Sequence, residues 1–552
     1  MKSFINARTD LVTEALDGFL SSTTNTDLAR LDGYPDIKVV LRSDWDRGRV
    51  ALISGGGSGH EPAHAGFVGE GMLTAAVCGE VFASPSVDAV LSAILAVTGE
   101  AGALLIIKNY TGDRLNFGLA AERARAMGRR VETVIVADDI AIPDSLQARG
   151  VAGTLFVHKV AGFLAAAGAP LDQVAEEARR VADECVSLGL SLETCTIPGT
   201  SRRDYLTGDE VELGLGIHGE PGATRIPHGS ADDLMAVACE RLAACVPDEE
   251  GRYAVLVNNL GSVPRLEMNI LTRSFLRSPL GGRAELLVGP APLMTSLDMK
   301  GFSLSLLPLD DLRREALAAE VTAPDWPGVS SARGVTTMPL PSPAAAADWV
   351  PSSNPAVRSA IDTACGSLVD AEVELNDLDA RTGDGDAGST FAAAARALRA
   401  ELDRLPCADS AALSTAVSEI LSRRVGGSSG VLTAILFAAT GEALANGEDW
   451  PTALMAGAER MMLYGGARPG DRTMLDALLP AVEILLEGRS LTDAATAARR
   501  GADGTRAMTV ARAGRSANVG AENLAGVTDP GAEAVARILE AVASTVTPSG
   551  GN

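Results

Sequence analysis

The chain has 552 residues, 46% apolar and 21% charged, the balance of a soluble globular protein with room for about three or four compact units. Its net charge of −24 argues against nucleic acid or an anionic membrane surface as a partner, though not against a local basic pocket for phosphate. Seven cysteines without a CxxC pair indicate reduced thiols and a cytoplasmic protein, and no apolar run in the sequence approaches the roughly 18 residues of a membrane span.

The first stretch, MKSFINARTDLVTEALDGFL, is interrupted by charge and has no apolar signal core. From Arg49 to about Leu307, short β-branched runs alternate with helical patterns, the grammar of an α/β fold. RVALIS (Arg49–Ser54) predicts a buried strand followed at once by a glycine loop, GGGSGHEP. Glycines 55, 56, 57 and 59 let the backbone approach a ligand and aim N–H groups at it, although a tight strand-to-helix connection reads the same way. No Gly-Lys pair occurs in the chain, which excludes a Walker A loop, and the proline inside HEPAH excludes the HExxH zinc helix.

LLIIKNY (Leu104–Tyr110) predicts a second strand. The residues Lys108, Asp113, Arg114 and Asn116 around its end make either a charge pair with a general base or a solvated loop. Further strands are expected over Val131–Ala137, Tyr253–Gly261 and Ala284–Gly289, with a subdomain break near 195–209. LGLGIHGEPG (Leu213–Gly222) is loop chemistry and carries His218, one of only five histidines. A turn histidine satisfied by a carbonyl is its bland alternative.

Residues 322–354 are rich in Pro, Ser and Ala without periodicity and predict a linker between a first domain, 1–321, and a second, 355–552. Beyond it the strand patterns stop. Leu413, Val417, Ile420 and Leu421 fall on one helical face, and similar stripes recur, so the second domain is expected to be all-helical. LNDLDARTGDGDAGSTF (Leu375–Phe391) sets Asp379, Asp384 and Asp386 among glycines. Crowded carboxylates repel one another unless a cation neutralises them, and all-oxygen donors suit Mg²⁺. Position twelve counted from Asp384 is Ala395 rather than Glu, which excludes an EF-hand. RRVGGSSGVL (Arg423–Leu432) and the stretch YGGARPGDRTMLDAL from Tyr464 could offer helix N-termini to phosphate oxygens. Together these stretches suggest phosphoryl transfer from a nucleotide–Mg²⁺ site on the helical domain to a small molecule on the α/β domain.

With GGGSGHEPAHAGF, NYTGDRLNFGLA, GVAGTLFVHKVAG, ELGLGIHGEPG, APDWP, GDGDAGST, GGSSG and GARPGDRTMLDAL in order, nearly the whole chain resembles the dihydroxyacetone kinase family in its fused form. The resemblance implies two α/β subdomains followed by an eight-helix antiparallel barrel, a homodimer, and ATP with Mg²⁺. It implies a ketone bound covalently as a hemiaminal on His218, with His60 and Asp113 as acid/base residues, and Gly57, Ser58, Gly59 and Lys108 as further substrate contacts. It assigns magnesium to Asp379, Asp384 and Asp386. ATP falls to Asp386, Ala387, Gly388, Ser389, Ser428, Ser429, Gly465, Thr473, Met474, Asp529, Pro530 and Gly531. The activity implied is phosphorylation of dihydroxyacetone. Alternatives are an erythrulose kinase, a non-catalytic ketose sensor, or a subunit fed by a phosphoprotein, and a flavin-nucleotide cyclase side activity is not excluded. GDGDAGST in place of GDGDCGTT, AGRSANVG in place of AGRASY, and the unfamiliar SLETCTIPGTSRRDYL are the departures.

Overall fold

The computed structural model describes residues 3–546 apart from 34, 143–144, 146, 201–205, 207, 215, 220–221, 247–250, 342–348 and 425. Parts of LGLGIHGEPG, SLETCTIPGTSRRDYL and the expected linker therefore lie outside the described residues. The chain forms two compact units, Met1–Thr337 and Met338–Asn552, fewer than length alone suggests.

The first unit contains two sheets. One comprises β1 (Leu28–Arg30), β2 (Val39–Arg42), β3 (Ala51–Ser58), β4 (Ala75–Val81), β5 (Ala103–Lys108) and β6 (Val131–Val136), ordered β1-β2-β4-β3-β5-β6. β3 pairs in parallel with β4 and β5, and β5 with β6. Alternation explains how β3 and β5 are covered. Ile53, Leu105 and Ile107 pack with residues of the helices Val87–Val97 and Thr111–Ala126, while Leu52, Leu104 and Ile106 pack with the helices Thr154–Ala166 and Leu171–Glu184. Strands buried on both faces read as continuous apolar runs, which is why ALLIIK was legible.

The second sheet comprises β7 (Val186–Glu193), β8 (Glu210–Leu213), β9 (Thr224–Pro227), β10 (Tyr253–Asn259), β11 (Ala284–Ala291), β12 (Lys300–Pro308) and β13 (Val329–Ser331). Its order is β13-β11-β10-β12-β7-β8-β9, with β10 and β11 the parallel pair.

Four expectations are corrected. The glycines after Ile53 are not a loop, because β3 runs through Gly55, Gly56 and Gly57 to Ser58. The segment 195–209 is not a break between sheets; it joins β7 to its neighbour β8, and the chain changes sheet earlier, between Val136 and Val186. The linker does not begin at 322. Asp325 donates its N–H to Gly66, Trp326 is buried, and β13 pairs with β11, so its proline-rich composition concealed three attachment points. Lastly, the helix Gly427–Ala445 has the length and composition to cross a membrane, contrary to the expectation that no run does. It packs between the helices Ser410–Arg424 and Trp450–Gly465.

The second unit has no strand among its described residues. Pro355–Asp370 and Glu372–Thr382, separated by Ala371, count as one broken element. Ala387–Ala400, Ser410–Arg424, Gly427–Ala445, Trp450–Gly465, Leu475–Leu486, Leu491–Gly504 and Pro530–Val546 follow, each packed on the next, and the last returns to Pro355–Asp370. The eight elements close a ring around an apolar cavity of about 620 Å³ lined by Ile361, Phe391, Val417, Phe437 and Leu478 among others.

Candidate functional site

The α/β unit brings His60 and His218 together at the carboxyl end of β3. His60 follows that strand directly and is fully buried. Its Nδ1 lies 2.8 Å from the Thr295 carbonyl oxygen. A carbonyl can only accept, so Nδ1 carries the proton, and Nε2, which has no hydrogen-bond partner, presents a lone pair while the ring is neutral. Burial, then Lys108 and His218, hold His60 well below the ordinary histidine range. The His218 ring stands edge-on to His60 with centroids 4.9 Å apart. Phe82 at 5.2 Å and Tyr110 at 4.6 Å complete an aromatic enclosure around it.

Lys108 ends β5, and Asp113 sits in the first turn of the helix Thr111–Ala126. Both converge on Gly56, where a Cβ would stand 3.1 Å from Lys108 Nζ and 3.4 Å from Asp113 Oδ2. Both are buried, and Lys108 Nζ and Asp113 Oδ1 have no hydrogen-bond partner. Burial pushes the Lys108 ammonium down, opposed by Asp113, Glu61 and Asp138. Gly57 is required sterically, since its Cβ would come within 2.7 Å of the Ala83 nitrogen. Gly59 holds φ +102°, and a Cβ there would stand 2.8 Å from the Phe82 ring. Ser58 is turned away, its hydroxyl donating to the Gly79 carbonyl at 2.7 Å. Asn116 also lies aside, its amide donating to the Pro85 carbonyl at 2.8 Å.

The helical unit gathers its loops around a single cavity of about 870 Å³. Asp379, Asp384 and Asp386 each bring a carboxylate oxygen within 4.8 Å of the others, which fits one hard cation. Asp379 Oδ2 accepts the N–H groups of Gly385 at 2.9 Å, Asp386 at 3.0 Å and Ala387 at 3.2 Å, so it also shapes the loop. Ala387 and Ser389 enter the cavity wall from the first turn of one helix, and Ser428 and Ser429 from the first turn of another. Gly465, Thr473, Met474 and Asp529–Gly531 complete the predicted set. Gly388 is the exception: it packs against the backbone of Glu372 and does not line the cavity.

Sequence reasoning missed Phe82, Tyr110 and Thr295, which meet the histidines only through tertiary contact. It also passed over Arg472, although this residue lies inside the quoted GARPGDRTMLDAL. Arg472 lines the nucleotide-sized cavity, holds φ +64° and is buried, with one guanidinium bond of 2.9 Å to the Val527 carbonyl and no partner for Nε or Nη1.

Two family models match this chain, the Dak1 domain over residues 21–325 and the DAK2 domain over 381–544. Over 546 residues it is 48% identical to the dihydroxyacetone kinase of Citrobacter freundii, covering 98% of this chain and 99% of that protein. It is 42% identical to the triokinase/FMN cyclase of Homo sapiens over 576 residues, 98% of each chain. The crystal structure of the C. freundii kinase in complex with AMP-PNP and Mg²⁺ superposes with a TM-score of 0.75 at 47% identity, covering 98% of this chain and 99% of that one.

Proposed function

The chain belongs to the dihydroxyacetone kinase family and is a kinase of small ketoses, and from that premise we propose that it converts dihydroxyacetone to dihydroxyacetone phosphate with ATP and Mg²⁺. The observation that carries the proposal is the meeting of His218, His60, Lys108 and Asp113 at the carboxyl ends of the parallel strands β3 and β5. In this reading His218 adds a ring nitrogen to C2 of the ketone. The proton lost from that imidazole passes to Nε2 of His60 and from there to the carbonyl oxygen, which becomes the hydroxyl of a hemiaminal. Only a carbonyl can be captured this way, so glycerol is refused for want of an electrophile. Asp113 then takes the proton of the free hydroxymethyl group as its oxygen bonds to the γ-phosphorus and the bond to ADP breaks.

Bound at Asp379, Asp384 and Asp386, Mg²⁺ supplies charge neutralisation between the phosphates. Ser428 and Ser429, in the first turn of their helix, offer N–H groups to phosphate oxygens, whereas the Ser389 N–H donates to Asn376 Oδ1 at 3.0 Å. Erythrulose is the alternative substrate, since the enclosure around His218 fixes the carbonyl rather than the far end of the chain. The test is ATP-dependent turnover of dihydroxyacetone, both erythrulose enantiomers, glyceraldehyde and glycerol by wild type and His218→Ala. Turnover of one ketose with glycerol inert and the variant reduced at least a hundredfold is expected, about what loss of a covalent step removes. Glycerol turnover surviving the substitution would overturn the role of His218.

A further inference from the structure

The loop bearing His218 leaves β8 at Gly214, and that departure is fixed by Arg149, a residue between the two sheets. Arg149 Nη2 donates to the Gly214 carbonyl at 2.6 Å. Its Nε donates to Asp139 Oδ2 at 2.8 Å, and Nη2 lies 2.7 Å from the same oxygen. Asp139 Oδ1 accepts the N–H of Ala141 at 2.9 Å, and the Asp139 N–H donates to the Arg149 carbonyl at 3.0 Å. Both side chains are enclosed, 16% and 7% exposed. Gly214 is itself constrained, with φ +74°, an N–H donated to Gly189 of β7 at 2.7 Å, and the methyl of Ala141 occupying the place a Cβ would need.

We infer that Arg149 is a positioning residue for His218. Its guanidinium, held by Asp139, fixes the direction in which the chain leaves β8 and thereby the bearing of the imidazole four residues on. A planar fork can satisfy a carboxylate and a carbonyl together, whereas an ammonium on a flexible stem holds one direction at a time. The inference rests on the reading of His218 as the ketone-binding residue.

The experiment follows dihydroxyacetone labelled with carbon-13 at C2 on the full chain by NMR, which separates ketone from hemiaminal carbon. It runs beside KM and kcat for wild type, Arg149→Met and Arg149→Lys. Arg149→Met is expected to lower the adduct fraction and raise KM about tenfold or more, the scale of one lost charge-assisted hydrogen bond, with Mg·ATP affinity unchanged. Arg149→Lys is expected to recover part of the adduct, which a merely structural residue would not predict. Folded Arg149→Met with the wild-type adduct fraction and KM overturns the inference. Should Arg149→Met not fold, an undiminished adduct in Arg149→Lys does the same. A wild-type ketose that binds with its C2 still ketonic overturns the covalent reading and the inference with it, whereas a normal wild-type adduct unaffected by either substitution sinks the role of Arg149 alone.

Discussion

His64 and His158 show what a buried imidazole costs when it plays no part in the proposed reaction. Their ring centroids lie 5.3 Å apart, all four nitrogens lack hydrogen-bond partners, and both rings are buried. Burial and the nearby Lys108 push His158 down to about 3 from an ordinary value of 6.5. The unfolded chain therefore binds a proton at His158 below pH 6.5 that the folded chain refuses until about pH 3, and this residue's contribution to stability declines as pH falls through that window. His158→Leu lacks this linkage. Its melting temperature relative to wild type should rise between pH 7 and pH 5; a difference independent of pH would contradict the assignment. None of this was legible in the sequence. HEPAH and FVHKV show where histidines occur, but burial is decided by elements far away in the chain.

At the scale of elements, β3 carries the clearest divergence between pattern and structure. GGGS resembles a loop because glycine is the common loop residue, yet here the missing Cβ of Gly55 lets the parallel neighbour β4 close in. A Cβ at Gly55 would overlap the Val77 carbonyl of β4. Gly55→Ala should therefore cost roughly 1–3 kcal/mol, read as a lower denaturation midpoint, and a stability equal to wild type would mean that β4 yields freely. In the helical unit the acidic loop was legible as three carboxylates set among glycines, because charge density is a local property of the sequence. The structure adds that Asp379 both brings an oxygen within 4.8 Å of those of Asp384 and Asp386 and gathers three backbone N–H groups. Asp379→Asn should weaken Mg·ATP binding about tenfold or more by calorimetry while the helices remain folded by circular dichroism. Unaltered affinity would remove Asp379 from the site.

Across the whole molecule, the boundary between the units falls where the chain is exposed after β13, with Val335, Met338 and Leu340 all more than 80% exposed. Limited proteolysis should cut there first and leave two resistant fragments; initial cleavage inside either unit would contradict the division. Trp326 lies on the protected side, and Trp326→Ala should expose the segment 322–331 to the protease without altering nucleotide binding. The sequence by itself determined the fold class, the order of the two halves, the acidic loop and the five histidines, because periodicity, charge density and rare residue types are local properties. Tertiary structure decided which histidines meet. His60 and His218 lie 158 positions apart, and their rings stand 4.9 Å from each other because β3 and β8 deliver them to one place. It also made the glycine run a strand, and it set Arg149 against Gly214. A contact between distant residues depends on how whole sheets pack, and no local spacing in the chain records that.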